Sequence, residues 1–133
     1  MGRYYTGDIE GKFWFGVQCS DDASFFGGSE EEVYFEDEDE IPYELQYFFQ
    51  TGDLEDIKHG IEECIIHLGE YKMRLDDFFA QRDSYNDQMI VEAFEIPKEK
   101  VWELLVWYAR LGLGVKIKGC VEEKGECSFS AEL

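Results

Sequence analysis

Lys12–Cys19, with the sequence KFWFGVQC, is the densest aromatic and β-branched stretch of the 133-residue chain. Glycine, aspartate and serine residues flank it on both sides and predict turns there. Every second side chain falls on one face, as a strand requires: Phe13, Phe15, Val17 and Cys19. Trp14 places a large ring on the opposite face, so we expect both faces to contact other parts of the protein. We therefore predict that Phe13–Cys19 is the central strand of a sheet.

Three further segments have strand patterns. Apolar and polar residues alternate over Tyr43–Phe49 and again over Cys127–Leu133, with Phe48 the exception in the first. Val33-Tyr34-Phe35 predicts a short edge strand. We expect Cys127–Leu133 to pair with the central strand.

Apolar residues at three- and four-residue intervals predict an amphipathic helix that starts near Asp53. Gly69 interrupts this pattern, and a second helical stretch completes the segment 53–80. Pro97 suits the first position of another helix, over 98–111. Residues 112–124 leave two alternatives open, because their alternation favours a strand whereas Gly125 suits the end of a continued helix.

These elements together predict a small two-layer α+β domain. An antiparallel sheet is covered by two to four helices, and residues 1–133 form a single domain. Aromatic residues make up 17% of the chain, which supplies enough ring area to fill its core.

Charge is the most unusual property of the chain, with a net value of −19. Residues 1–50 carry a net −11 and residues 51–96 a net −8, whereas residues 97–133 are neutral. No lysine or arginine lies between Lys12 and Lys58. Direct nucleic-acid binding and attachment to anionic membranes are disfavoured, because both need clustered basic residues. A cationic protein is the natural partner.

The acidic residues are concentrated between Glu30 and Glu44, where nine acids and no base occur. Like charges repel one another, so we predict a solvated acidic loop at about 29–41. Its carboxylates would attract a basic partner, and its two rings would anchor it. The predicted partner-binding residues are Glu30, Glu31, Glu32, Tyr34, Phe35, Glu36, Asp37, Glu38, Asp39 and Glu40.

We expect a small acidic protein-binding module that mimics nucleic acid and inhibits or sequesters a basic nucleic-acid-binding protein. Two observations favour a protein without catalytic activity, cofactor or metal. The chain has no G-x-S-x-G nucleophile motif and no phosphate-binding glycine loop followed by Lys-Ser or Lys-Thr. The acidic run also lacks the ligand spacing of a calcium-binding EF-hand loop.

Two alternatives come from other features of the sequence. His59, Glu63 and His67 recur at four-residue intervals on the first helix, and a metal-dependent enzyme could use such a face. A polar face opposite an apolar stripe explains the same pattern without a metal. The second alternative is a structural or assembly subunit whose aromatic surface is an oligomer interface.

The chain has four cysteines, and three of them, Cys19, Cys64 and Cys127, fall at positions expected to face inward. Its first residues lack the apolar stretch of a signal peptide. We therefore expect a cytoplasmic protein with reduced thiols.

Thiol titration of the unfolded protein under non-reducing conditions should find four free thiols. Buried cysteines in a reducing compartment have neither the oxidant nor the access that disulfide formation needs. A titration that finds two thiols or none would contradict this expectation.

Overall fold

The computed structural model describes residues 3–14, 17–35, 38–81 and 86–133, and within these ranges it leaves the side chains of residues 35, 38–41 and 87 undescribed. The strands are β1 (Tyr4–Gly7), β2 (Gly11–Lys12), β3 (Ser29–Phe35), β4 (Glu38–Gln50) and β5 (Glu126–Glu132). The helices are α1 (Leu54–Leu68), α2 (Tyr71–Ala80), α3 (Asp87–Phe94) and α4 (Lys98–Lys124). Two short 3₁₀ helices, Asp22–Phe26 and Thr51–Asp53, precede β3 and α1. No helix in the described ranges is long and apolar enough to cross a bilayer.

The strands form one antiparallel sheet in the order β2-β1-β5-β4-β3, and helices pack on one of its faces. The predicted α+β class is thereby confirmed. β5 is the central strand, and its apolar residues alternate inward opposite those of β4, with Tyr47 across from Phe129 and Leu45 across from Ala131. The strands predicted at Tyr43–Phe49 and Cys127–Leu133 are therefore confirmed within β4 and β5, apart from Leu133, which follows the end of β5.

The prediction of a central strand at Phe13–Cys19 is wrong for its described residues, which lie outside every strand, whereas Phe15 and Gly16 lie outside the description. β2 ends at Lys12, and the chain then turns: the backbone N–H groups of Val17 and Gln18 both donate to the Trp14 carbonyl, at 3.0 and 2.8 Å. The Gln18 side chain also accepts the Trp14 N–H at 3.1 Å. These local bonds use groups that a sheet ladder needs. Phe13 is nevertheless buried, whereas Cys19 of the same pattern is exposed.

The described residues of the acidic segment belong to two paired strands rather than to the loop expected at about 29–41. β3 spans Ser29–Phe35 and pairs with β4, which begins at Glu38, and the register shifts on either side of Tyr34. β3 lies at the edge of the sheet, as predicted for Val33-Tyr34-Phe35, and it is longer than that prediction. An edge strand can carry many charges because its open side faces solvent.

α4 continues through residues 112–124, which decides the open alternative in favour of a helix. Leu113, Ile117 and Val121 recur at four-residue intervals and are buried, whereas Val115 is 53% exposed. The helix ends at Gly125, which has the left-handed conformation and donates its N–H to the Val121 carbonyl at 2.8 Å. Each glycine in a helix destabilises it by about 1 kcal/mol relative to alanine. Packing of one helical face in the core outweighs that cost here.

Phe26 joins the 3₁₀ helix Asp22–Phe26 to the helical layer. Its ring is fully buried between α1 and α4, where both helices approach it at a glycine. A Cβ on Gly60 would lie 2.7 Å from the ring, and one on Gly114 would lie closer still. By contrast, a Cβ on Gly112 or Gly119 of α4 would meet no atom within 4 Å. Gly114 is therefore required by packing, whereas Gly112 and Gly119 are not.

The cysteines differ from expectation at one position, because Cys19 is exposed. Cys64, Cys120 and Cys127 are buried, and none of the four is in a disulfide. Burial raises the pKa of the Cys64 thiol to about 12. This thiol is therefore protonated and unreactive at neutral pH.

Gly114→Ala should destabilise the protein by about 1–3 kcal/mol, because the added methyl overpacks the Phe26 site. Gly119→Ala is the matched control on the same helix, and it should stabilise the protein by up to about 1 kcal/mol through helix propensity. Urea unfolding of both variants would measure the difference. Equal stability of the two variants would contradict the packing described for Phe26.

Candidate interaction site

The glutamates of β3 divide between the two faces of the sheet. Glu30 lies opposite Tyr47 and Glu32 opposite Leu45, so both share the face of the core residues. Glu31 lies opposite Gln46 on the other face. All three glutamates are exposed, because the helical layer does not cover the sheet edge. Two consecutive positions on one face are about 7 Å apart, from the rise of a strand.

Glu30 is held by the 3₁₀ helix that precedes β3. The Ser24 hydroxyl donates to its carboxylate and also lies 3.3 Å from the Tyr47 hydroxyl. The Tyr47 hydroxyl donates to the Ser20 carbonyl at 3.2 Å. Desolvation raises the pKa of Tyr47 far above its ordinary value, so the phenol stays protonated and remains a donor. The start of the acidic strand is therefore fixed to the core through a chain of hydroxyl groups.

Tyr34 extends the same face outward. Its hydroxyl donates to the Glu32 carboxylate at 2.8 Å, and its ring is 40% exposed. The hydrogen bond to Glu32 raises the pKa of Tyr34, with smaller contributions from desolvation and the negative charge of Glu32. The bond orients the phenol beside a carboxylate while the ring remains accessible to a partner.

For four other predicted partner-binding residues the structure describes the backbone and not the side chain. Phe35 is the last residue of β3, and Glu38, Asp39 and Glu40 are the first residues of β4. Glu36 and Asp37 lie outside the described residues. The structure therefore places Glu30, Glu31, Glu32 and Tyr34 together on one strand.

Within the described ranges, no basic side chain forms an ion pair with Glu30, Glu31 or Glu32. The ion pairs found there join residues elsewhere, among them Lys72 with Asp76 and Arg110 with Asp22. The lysines and arginines of the described residues therefore leave the charge of Glu30, Glu31 and Glu32 without an ion-pair partner.

The outer face of the sheet is polar where β4 and β5 meet. Gln46 bridges two serines: its side-chain N–H donates to Ser128 at 3.2 Å, and its oxygen accepts from Ser130 at 2.7 Å. Glu44 lies opposite Glu132 on this face. Such a face is typical of an antiparallel sheet with one side exposed to water.

His59 and His67 both contact Glu63 on the exposed face of α1. Nε2 of each histidine approaches a different oxygen of Glu63, at 3.8 Å for His59 and 3.9 Å for His67. The His67 ring also stacks on Trp107, with centroids 3.8 Å apart. Across the residues that the structure describes, no group of three or more His, Cys, Asp or Glu side chains could hold a metal ion.

Sequence reasoning missed a cavity of about 350 Å³ between β1, α2 and α4. In the strand order of the sheet, β1 lies on the other side of β5 from β3. Lys12, Lys72 and Lys116 line it, together with the rings of Trp14 and Tyr108. The three lysines are distant in sequence and have no common spacing, so no local pattern could identify them as a group.

The chain matches no protein-family model, and no curated protein or solved structure shows significant similarity to it.

Elemental analysis of protein purified without a histidine tag should find no stoichiometric zinc, nickel or iron. Both histidines contact the Glu63 carboxylate, and the described residues offer no group of three or more His, Cys, Asp or Glu side chains arranged to hold a metal ion. A metal bound tightly at one equivalent, and lost in His67→Ala, would favour the metalloenzyme alternative instead.

Proposed function

We propose that this chain is a non-catalytic, acidic protein-binding module whose edge strand β3 docks a basic partner. The observation that carries the proposal is the row of exposed glutamates Glu30, Glu31 and Glu32 on an edge strand, without ion pairs among the described residues. Exposed glutamates contribute nothing to the hydrophobic core, so folding does not explain their presence at these positions. Their negative charge is available to attract a basic partner.

The backbone of β3 supports a specific mode of docking. β3 pairs with β4 on one side only, so the peptide groups along its other side are open. An extended segment of a partner can add to such an edge as a further strand, with main-chain hydrogen bonds for affinity and side-chain contacts for specificity. Because the glutamates alternate between faces, lysines or arginines on both faces of the added strand would each meet a carboxylate.

The same charges oppose pairing with a second copy of this chain. Two β3 edges placed together would bring glutamates opposite glutamates, and like charges directly opposite one another destabilise a sheet. Charged edge strands prevent sheets from associating in this way. The partner is therefore a different, basic protein, which disfavours the oligomer-interface alternative at this edge.

Charge spacing supports a nucleic-acid-binding protein as that partner. Glu30 and Glu32 share one face of β3 at a spacing of about 7 Å, whereas Glu31 lies on the other face. Successive phosphates of one DNA strand combine an axial rise of about 3.4 Å with the lateral displacement of the helix, so a basic groove built for them would meet the carboxylates of Glu30 and Glu32 at a similar spacing. In this role the module would compete with nucleic acid for its partner.

Tyr34 is proposed as the anchor of the interface. Its ring is exposed and its hydroxyl is already oriented by Glu32, so binding would cost little side-chain entropy. Aromatic residues of this kind are frequent among the residues that dominate binding energy.

Replacing Glu30, Glu31 and Glu32 together with glutamine should slow association with the partner at low salt by about tenfold or more, because steering by charge raises association rates. Tyr34→Ala should act mainly on dissociation, as the loss of a short-range contact does. The partner would first be captured from the source cell at low salt and released at high salt. Surface plasmon resonance with the purified partner would then measure both rates.

Glu62→Gln, Glu103→Gln and Glu123→Gln, combined in one variant, provide the matched control. They remove the same charge from exposed helical positions and should leave the association rate within about twofold of the wild type. DNA or RNA that the partner binds should displace the module. The proposal fails if the β3 variant and the control associate equally fast, or if bound nucleic acid leaves binding unchanged.

A further inference from the structure

We propose that the cavity between β1, α2 and α4 binds a small organic anion, a phosphate monoester attached to a planar ring. This inference is independent of the function proposed for β3. The cavity measures about 350 Å³, which falls within the range of about 300–1,000 Å³ typical of small-molecule sites. Cationic, aromatic and aliphatic side chains line it together.

The charge of the lining is opposite to that of the protein. Lys12, Lys72 and Lys116 contribute three of the chain's 12 basic residues, whereas Asp76 is one of 31 acidic residues. A chain with a net charge of −19 has few cations to place, and three of them surround one cavity. Lysines at this density bind phosphate as point charges.

Asp76 organises the cationic side instead of neutralising it fully. One of its oxygens contacts Lys72 Nζ at 2.8 Å, and the other accepts the Tyr108 hydroxyl at 2.7 Å. These bonds hold the pKa of Asp76 below its usual value, the contact with Lys72 contributing most. An ammonium group has three N–H donors, so Lys72 retains donors beyond the one that faces Asp76.

Lys116 is positioned by groups from the opposite wall. Its Nζ donates to the Tyr5 hydroxyl at 2.8 Å and to the Glu10 carbonyl at 3.4 Å. Both partners are uncharged, so the positive charge of Lys116 is not cancelled by them. A phosphate between Lys72 and Lys116 would therefore receive donors from two sides of the cavity.

The ring-binding wall is supplied by aromatic residues with fixed orientations. Trp14 meets Tyr108 edge-on, with centroids 6.2 Å apart, and Phe79 in the same way at 5.6 Å. The backbone N–H of Trp14 donates to the side-chain oxygen of Gln18, which also lines the cavity. Aromatic and aliphatic walls of this kind bury the apolar part of a ligand while a few polar groups orient it.

Gly112 leaves part of the cavity wall without a side chain. It lies in the middle of α4 and lines the cavity, where a Cβ would meet no atom within 4 Å. Packing within the chain therefore does not require a glycine here, in contrast to Gly114 beside Phe26. The absence of a side chain keeps the space free for a ligand that approaches the helix backbone.

Isothermal titration with 1-naphthyl phosphate is the direct test, because this probe joins a planar ring to a phosphate. We expect saturable one-to-one binding, with 1-naphthol and inorganic phosphate each at least about tenfold weaker, since each lacks one half of the ligand. Absence of saturable binding at millimolar 1-naphthyl phosphate would overturn the proposal. Equal binding of 1-naphthol would also overturn it, because the lysines would then have no role.

Two pairs of variants locate the site. Gly112→Leu should fill the cavity and weaken the binding of 1-naphthyl phosphate by about tenfold or more. Gly119→Leu, at an equally open position of α4 outside this cavity, should leave that binding unchanged. Lys116→Gln should weaken binding by about tenfold, whereas Lys118→Gln, which lies outside the cavity and pairs with Glu122, should not. Binding that is unaffected by both cavity variants would place the probe elsewhere and reject the site. If Gly112→Leu does not fold, as judged by circular dichroism, the two lysine variants decide the question.

Discussion

The burial of Phe26 between Gly60 and Gly114 is the contact on which the rest of the structure depends. It brings α1 and α4 together at a distance that only glycine permits, and it fixes the 3₁₀ helix Asp22–Phe26 to the helical layer. Asp22 adds a second connection through its ion pair with Arg110 at 2.7 Å. The Arg110 guanidinium also lies over the rings of Phe25 and Trp107, so this partly buried charge has partners on several sides. Removing one member of such a pair leaves the other charge uncompensated.

The segment anchored by Phe26 connects the acidic edge to the cavity. On one side Ser24 holds Glu30, and the Ser20 carbonyl accepts from Tyr47 beneath the sheet edge. On the other side Asp22 accepts from Gln18, which in turn holds the backbone of Trp14 at the cavity wall. Both surfaces are therefore built on elements with the same rigid support. This arrangement suits binding sites, which need side chains held in position before a ligand arrives.

The charge distribution gives the two surfaces opposite electrostatic character. β3 presents carboxylates that lack basic partners among the described residues, whereas the cavity on the far side of β5 presents three lysines. Screening in physiological salt acts over about 8 Å, so each surface is dominated by its own nearby charges rather than by the net charge of the chain. A strongly acidic protein can therefore attract a basic protein at one surface and a small anion at another. The polar face formed by Gln46, Ser128 and Ser130 carries neither concentration of charge.

Alternation by itself did not identify every strand. It predicted the strands at Tyr43–Phe49 and Cys127–Leu133, because those segments pack one face on the core and leave the other in water. The same period at Phe13–Cys19 belongs to a chain that turns after Trp14, since local hydrogen bonds there replace a ladder. Among the described residues of that period, Phe13 is buried, Val17 is half-buried and Cys19 is exposed, so the alternation there marks neither a strand nor one buried face.

The sequence by itself determined the fold class, the positions of α1 and of the strand segments within β4 and β5, and the concentration of acids near Glu30. These are local properties, because periodicity, capping residues and charge are all read within a few positions. Only the tertiary structure decided that residues 112–124 are helical, since the burial of Ile117 and Val121 against other elements outweighs three glycines. It also decided that Glu30, Glu31 and Glu32 lie on an edge strand and that Lys12, Lys72 and Lys116 surround one cavity. Both arrangements depend on contacts between residues far apart in the chain, which no local pattern encodes.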